Sequence, residues 1–152
     1  MEKVLVTGAT GYIALHCVQQ LLDQGYAVNG SIRSPERKNE VIEALKNSGT
    51  STENLNLYVF DLTNDEGWDD GMEGCDYLLH VASPLALENH TEDYFVKPAV
   101  AGAKRALKFA KKHSVKKVVL TSSVAAIFET GEEKIFYDES DWSDPDNPNI
   151  SN

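Results

Sequence analysis

The fold of this 152-residue chain is decided by the stretch KVLVTGATGYIA, residues 3–14. The short apolar, β-branched run Lys3–Thr7 predicts a buried strand that ends at Gly8. Apolar residues then recur at helical spacing, which predicts a helix over Tyr12–Gln24 that Gly25 terminates. A strand, a tight turn and a helix therefore follow one another directly, which is typical of the first unit of an α/β sheet.

Small residues mark the turn between this strand and this helix, at Gly8, Gly11 and Ala14. The first amides of a helix have no partner within the helix and attract anions. A side chain at Gly8 or Gly11 would hold a pyrophosphate away from those amides, and the small Ala14 lets the helix approach the sheet. The same glycines could serve an ordinary turn, but the strand–turn–helix context favours a dinucleotide-binding site.

Strand and helix patterns alternate along the chain to about residue 121. The further predicted strands are Tyr26–Ile32, Asn54–Phe60, Asp76–Ala82 and Lys117–Thr121, and the further helices are Ser34–Asn47, a short acidic stretch within Asp61–Met72, and Thr91–His113. The strands are apolar throughout, which predicts that both faces of the sheet are covered. The fold class is therefore α/β, a doubly wound parallel sheet of about five strands, the Rossmann fold.

The longest predicted helix carries an apolar stripe that steps by four and three residues, at Val96, Val100, Ala103, Leu107 and Ala110. Pro98 lies within the stripe and indicates either a kink or a later helix start. After Ser123 the patterns weaken. For AAIF (125–128) and EKIFYDESDW (133–142) we expect a loop with one or two short strands.

Composition excludes several classes of function. The 14 basic and 24 acidic residues give a net charge of −10, which argues against nucleic-acid and anionic-membrane partners. Two cysteines without CxxC spacing and four scattered histidines indicate neither a disulfide framework nor a metal site. With no apolar leader and no run long enough to span a bilayer, we expect a cytoplasmic protein.

Five segments, in order, carry a resemblance to a known family. TGATGYIA (7–14) resembles the TGxxGxxG/A motif of the short-chain dehydrogenase/reductase superfamily, in particular its extended branch. The other matching segments are Asp61-Leu62, His80–Pro84, Val119–Ser123 and Tyr137–Trp142. Together they resemble the dihydroflavonol reductase, cinnamoyl-CoA reductase and aldehyde (methylglyoxal) reductase group of the NAD-dependent epimerase/dehydratase superfamily. The resemblance implies one NADP-binding Rossmann domain over residues 1–152.

The resemblance also implies which residues bind the cofactor. They are Gly8, Thr10, Gly11, Tyr12, Ile13, Asp61, Leu62, Val81, Ala82, Ser83 and Ser122. By the same likeness the Asp61 carboxylate meets the adenine amino group, and the segment after the fourth strand lines the nicotinamide ribose. An aspartate after a strand is also common as a turn or helix cap, so Asp61 has a second interpretation.

The residues after the second strand indicate which dinucleotide binds. An NAD site usually ends this strand with an acidic residue that accepts from the ribose hydroxyls. Here Ile32 takes that place and is followed by Arg33, then Arg37 and Lys38. This cationic cluster predicts NADP(H), with Arg33 and Lys38 as ligands of the 2′-phosphate. The alternative is a solvated helix start in which Arg37 and Lys38 face water.

The resemblance implies carbonyl reduction in which Ser123 hydrogen-bonds the substrate carbonyl, a tyrosine donates the proton, and a lysine four residues later lowers the tyrosine pKa. None of the six tyrosines has a lysine at that spacing. We therefore expect the N-terminal part of a longer reductase, truncated before its Tyr-x-x-x-Lys helix and substrate-binding part. Alone, it should turn over poorly and self-associate through an open apolar edge at Val118–Leu120.

Two other functions stay open. One is a non-catalytic dinucleotide-sensing domain of the same fold. The other is a sugar-nucleotide epimerase or dehydratase, but these usually hold NAD, and Ile32-Arg33 does not suit NAD. The substrate is expected to be a small-molecule carbonyl compound. Phe128 stands where dihydroflavonol reductases carry a substrate-binding asparagine, which favours a smaller or more apolar substrate than a flavonoid.

Overall fold

The computed structural model describes residues 1–84, 92–128, 134–144 and 146, in two units, Met1–Leu120 and Thr121–Asn152. The elements of the first unit, in chain order, are β1 Lys3–Val6, α1 Tyr12–Asp23, β2 Ala27–Ile32, a 3₁₀ turn Pro35–Arg37, α2 Lys38–Asn47, β3 Leu55–Val59, α3 Trp68–Met72, β4 Tyr77–His80, α4 Glu92–Lys112 and β5 Lys117–Leu120. The described part of the second unit contains the short helix α5, Ala125–Phe128.

The five strands form one parallel sheet in the order β3-β2-β1-β4-β5. This order confirms the predicted doubly wound sheet. β1 lies at the centre, with Val4 in register with Val28 of β2 and with Tyr77 of β4. The direction of winding reverses between β1 and β4, and ligands of such sheets bind in the crevice outside the carboxyl ends of the strands at that point.

The sheet has a hydrophobic core on each face. Successive side chains of a strand point to opposite faces. Val4 and Val6 therefore pack with Val18 of α1 in one core, while Leu5 packs with Leu78 in the other. The second core also contains Trp68, which stacks on the ring of Phe109 of α4 with 5.7 Å between ring centroids. Covered faces explain why β1 is apolar on both sides, and β2 between them also buries the polar Asn29 and Ser31.

Helix α4 is present as predicted, but the face that it buries is not the predicted stripe. Of the stripe only Ala110 is buried, and Val96, Val100 and Leu107 are about half exposed. The buried side instead carries Gly102, Ala106, Phe109 and Ala110, and at Gly102 the helix lies close to the loop after β3. A Cβ built at Gly102 would lie 3.2 Å from the Cβ of Leu62. Pro98 lies inside the helix, and the predicted start at Thr91 falls outside the described residues.

The region after Ser123 also differs from the prediction. Residues 125–128, expected in a loop with short strands, form α5, whose first turn is closed by a hydrogen bond from the Ala126 amide to the Ser123 carbonyl. Residues 134–144 contain no strand. Among the helices of the described ranges, none combines the length and the apolar character needed to cross a bilayer.

Candidate functional site

A cleft of about 570 Å³ opens at the carboxyl ends of β1, β2, β3 and β4. Eleven of the predicted cofactor-binding residues line it: Gly8, Thr10, Gly11, Tyr12, Ile13, Arg33, Asp61, Leu62, Val81, Ala82 and Ser83. The remaining lining residues are Ala14, Ser31, Ile32, Arg37 and Phe60. The cleft therefore brings together four segments that are far apart in the sequence, one at the end of each of β1, β2, β3 and β4.

The glycine turn of this cleft is fixed by the protein's own packing. Gly8 has φ +72°, and a Cβ built there would lie 3.0 Å from the Cβ of Ala82. The Gly8 amide donates to Ser31 Oγ at 2.8 Å, and the Gly11 amide donates to the Gly8 carbonyl at 2.8 Å. The predicted steric effect of a side chain on a pyrophosphate stays a prediction, and the structure adds a second reason for a glycine at position 8. Its missing side chain makes room for Ala82, and its amide is already engaged within the protein.

The amides that remain for an anion belong to the first turn of α1. The first helical hydrogen bond runs from the Leu15 amide to the Gly11 carbonyl at 2.8 Å. Within the described part of the chain, the amides of Tyr12, Ile13 and Ala14 have no hydrogen-bond partner, and Gly11 provides no side-chain cap. This is the usual state of a helix N-terminus, whose partial positive charge favours anions. The turn can therefore donate several hydrogen bonds to a diphosphate.

Two arginines line the cleft after β2. Ile32 is buried, whereas the Arg33 side chain is 68% exposed, with its Nε 3.9 Å from Asp61 Oδ2. Arg37, at the end of the 3₁₀ turn, holds Glu40 through Nε at 3.0 Å and Nη2 at 2.7 Å. This hydrogen bond raises the Arg37 pKa above its ordinary value, so the guanidinium stays charged. Both arginines line the cleft.

Asp61 has the turn-cap role that the sequence allowed, and its contact with adenine stays a prediction. Its Oδ1 accepts from the Thr63 amide at 2.8 Å and from Thr63 Oγ1 at 2.7 Å, as a turn cap does. Partial burial acts to raise the pKa of Asp61, but the Thr63 hydrogen bonds and the nearby Arg33 outweigh it and leave that pKa lowered. The second oxygen, Oδ2, faces Arg33 and is the one available to a ligand.

Three predicted residues are not placed in the cleft. Lys38 begins α2 in an exposed position and is not among the lining residues, so its role stays a prediction. Ser122 and Ser123 belong to the second unit, where both are exposed. Ser123 Oγ accepts from the Ala125 amide at 3.2 Å. The proposed catalytic and cofactor roles of these serines likewise stay predictions.

Sequence reasoning missed Ser31 and Phe60, and it left Arg37 open between the cleft and solvent. Ser31 holds the glycine turn from β2, since its Oγ accepts from the Gly8 amide and its carbonyl accepts from the Ala9 amide at 2.8 Å. The only signal in the sequence is a serine just before the end of a predicted strand. Such a serine has many other uses, so the pattern does not identify it.

Comparisons with known proteins identify the family of the chain. The model of the NAD dependent epimerase/dehydratase family matches residues 4–150. A dihydroflavonol 4-reductase of Solanum lycopersicum is 37% identical over 145 residues, which cover 94% of this chain and 38% of that protein. The structure of yeast methylglyoxal/isovaleraldehyde reductase complexed with NADPH has a TM-score of 0.81 and 33% identity, covering 97% of this chain and 45% of that one.

Vestitone reductase from alfalfa, Medicago sativa, is a further structural neighbour, with a TM-score of 0.78 and 34% identity over 95% of this chain and 43% of that one. These likenesses confirm the resemblance drawn from the five motifs. The chain spans less than half the length of each of these relatives.

Proposed function

The chain belongs to the NAD dependent epimerase/dehydratase family, and we propose that it is the cofactor-binding portion of an NADPH-dependent reductase acting on aldehyde and ketone carbonyls. Support comes from relatives that are themselves named reductases, one of them solved with NADPH. Because the chain covers only 38% to 45% of their lengths, the activity and substrate of the whole protein belong to this proposal.

The observation that carries the choice of NADPH is the pair of arginines at the end of β2. Ile32 has no acceptor for the ribose hydroxyls, whereas Arg33 and Arg37 both line the cleft beside it. Guanidinium groups bind phosphate through paired, charge-assisted hydrogen bonds. A 2′-phosphate in this part of the cleft would therefore meet two complementary charges. Lys38 remains a third candidate, one residue beyond Arg37.

The other parts of the cleft also fit a dinucleotide. The unpaired amides of Tyr12, Ile13 and Ala14 suit its diphosphate. Asp61 Oδ2 suits the adenine amino group, and the segment Val81–Ser83 suits the ribose on the nicotinamide side. When bound, NADPH supplies the hydride of the reduction.

The chain's own contribution to the chemistry is proposed to be modest. Ser123 would hydrogen-bond the substrate carbonyl, and Ser122 would touch the cofactor. No tyrosine of the chain has a lysine four residues later, so the expected proton donor is missing. Loss of a general acid typically costs about 10²–10⁴-fold in rate. We therefore expect this chain alone to turn over slowly.

Self-association and a cytoplasmic location stay predictions. β5 is the edge strand of the sheet, and Val119 and Leu120 are 53% and 52% exposed. An apolar sheet edge favours pairing with another chain. Sedimentation at increasing protein concentration should show dimers or larger species. A monomer at all concentrations would contradict the expectation.

The experiment that tests the cofactor assignment is calorimetric titration of NADPH and NADH into the wild-type protein and Arg33→Asp. Losing a charge-assisted contact and gaining a like charge should weaken NADPH about 10- to 100-fold. NADH should change by less than about threefold, because it lacks the 2′-phosphate. Lys46→Asp, which makes the same charge change at the far end of α2, controls for the overall field. Equal weakening of both dinucleotides by Arg33→Asp would refute the 2′-phosphate assignment.

The same titrations separate the alternatives. Tighter binding of NADH than of NADPH by the wild-type protein would favour an epimerase or dehydratase. NADPH binding with no carbonyl reduction, in this chain and in a longer product of its gene, would favour a sensing domain.

A further inference from the structure

The Thr7 hydroxyl joins the ends of β1 and β4 through hydrogen bonds that the proposed function does not explain. Thr7 follows β1 and is completely buried, and His80, at the end of β4, is 3% exposed. Thr7 Oγ1 has three hydrogen-bond partners, each at 3.0 Å. They are His80 Nδ1, the Val81 amide and the Ala82 amide.

The chemistry of these partners fixes the direction of every bond. A hydroxyl has one proton and two acceptor lone pairs, and a backbone amide can only donate. The amides of Val81 and Ala82 therefore occupy both lone pairs of Thr7 Oγ1. The hydroxyl proton is left to point at His80, so Nδ1 must be the acceptor. The imidazole is consequently neutral and carries its proton on Nε2. Burial also lowers the pKa of His80, which favours the neutral ring.

This junction sets the edge of the cleft. The Thr7 amide donates to the Leu79 carbonyl at 3.0 Å, which continues the ladder between β1 and β4. Beyond this point the amides of Val81 and Ala82 are held by the Thr7 side chain instead. Ala82 is the residue that packs against Gly8, and both Val81 and Ala82 line the cleft.

We infer that His80 is a positioning residue for the dinucleotide cleft, because it accepts the Thr7 proton and so leaves both lone pairs of that hydroxyl to the amides of Val81 and Ala82. Its effect on ligand binding rests on the proposed function, whereas the hydrogen-bond arrangement stands without a ligand. A ring that donated from Nδ1 would compete with those two amides for the same lone pairs. The tautomer of one buried histidine is thereby linked to the placement of Ala82 against the glycine turn.

The direct test is nitrogen-15 NMR of the wild-type protein, labelled at histidine, near pH 7. The His80 ring, identified by its loss in a His80→Asn sample, should show an unprotonated Nδ1 and a protonated Nε2. A ring protonated on Nδ1, or on both nitrogens, would overturn the inference. This measurement needs neither a bound ligand nor a folded variant for its main result.

A matched pair of variants tests the positioning role. Asparagine and leucine are close in size, but only asparagine offers an acceptor to the Thr7 hydroxyl. In His80→Leu, hydrogen exchange of the Val81 and Ala82 amides should speed up by about tenfold or more, since a buried partner is lost. In His80→Asn it should stay within about threefold of wild type. The Val28 amide, bonded to the Asn54 carbonyl at 2.8 Å, serves as the internal reference.

Two substitutions at Thr7 test the role of its hydroxyl independently of the His80 variants. Thr7→Ser keeps the hydroxyl and should preserve both amide protection and NADPH affinity. Thr7→Val removes the hydroxyl and should lose both by about tenfold or more. Thr50→Val removes a hydroxyl from another buried threonine, outside the cleft, and should change neither property. Equal losses in Thr7→Ser and Thr7→Val would contradict the role of the hydroxyl.

The two proposals fail separately. A wild-type protein that binds no dinucleotide overturns the proposed function. The His80 tautomer and the amide exchange rates still test the positioning role of His80 in that case. Normal dinucleotide binding with equal exchange in His80→Leu and His80→Asn overturns the positioning role alone. If Thr7→Val does not fold, the His80 pair and the wild-type spectrum give the answer.

Discussion

At the glycine turn of the cleft, Gly8 packs against Ala82 and its amide is bonded to a buried serine, whereas in the cleft segment after β2 Arg33 is 68% exposed and lies 3.9 Å from Asp61. The first segment is made of backbone held by the core. The second is made of long side chains, of which Arg33 has one ion pair with Asp61 and Arg37 is hydrogen-bonded to Glu40. From this comparison we propose that the turn determines whether a dinucleotide binds at all, and that the arginines determine which one.

The largest expected effect comes from changing the turn. In Gly8→Ala the new Cβ meets Ala82 at 3.0 Å, and the alanine is forced into a positive φ. Strain and overpacking together should lower the free energy of unfolding by about 2–4 kcal/mol. Both dinucleotides should lose affinity alike, because the whole turn is displaced. Urea unfolding and calorimetric titration measure the two effects.

The matched control for this change is Gly25→Ala. Gly25 also has positive φ, at +84°, but no atom of the described residues lies within 4 Å of the position that a Cβ would take there. The variant should lose only about 1 kcal/mol of stability and keep full dinucleotide affinity. If the two alanine variants were equally stable and bound NADPH equally well, the packing account of Gly8 would be wrong.

A smaller and more selective effect is expected in the segment after β2. Arg37→Gln should weaken NADPH by about 5- to 10-fold and NADH by less than about twofold. The loss should be smaller than for Arg33→Asp, because Arg37 already shares its charge with Glu40. Titration at two salt concentrations measures it, and the difference from wild type should shrink as salt rises. A larger loss for NADH would contradict the division between the two segments.

The smallest effect is expected from Asp61, on the unfolding free energy at acidic pH. The pKa of Asp61 is lower in the folded protein than the unfolded value of about 3.9. The charged carboxylate therefore stabilises the fold above that pH, and this contribution disappears as pH falls through the folded pKa. Because Asp61 is 36% exposed, the contribution should be below about 1 kcal/mol after solvent screening.

In Asp61→Asn the unfolding free energy should thus fall slightly at pH 7 and depend less on pH below about 4. Asp70→Asn removes the same charge from an exposed position in α3 and is the reference. Urea midpoints between pH 3 and pH 7 make the comparison. An Asp61→Asn profile parallel to that of Asp70→Asn would show that the Thr63 and Arg33 contacts add nothing.

Most of the sheet was predictable because its signals are local. β1 and β4 are short, mainly apolar runs, and Gly25 ends α1 at the position where the pattern stops. The buried face of α4 was not predictable in the same way. The spacing of apolar residues does not show which side of α4 faces the sheet, and the buried side is the one that brings Gly102 close to Leu62 and Phe109 onto Trp68.

Most of the residues that line the cleft were predictable from the sequence. The packing and hydrogen bonds that require those residues were less predictable. The glycine motif points to a turn, but Ala82, which requires Gly8, is far away in the sequence. Ser31 is also distant from Gly8 in the sequence, so the hydrogen bond from the Gly8 amide to Ser31 was not predictable. The 3₁₀ turn Pro35–Arg37 also precedes α2, and it places Arg37 rather than Lys38 on the cleft. A continuous helix from Ser34, as predicted, does not distinguish the two.

The most direct test of the central claim is the ratio of the NADPH and NADH dissociation constants of the unmodified chain, measured by calorimetry in one buffer. Because the guanidiniums of Arg33 and Arg37 lie beside the buried Ile32, we expect NADPH to bind at least about tenfold more tightly than NADH. Equal affinities, or a preference for NADH, would contradict the account.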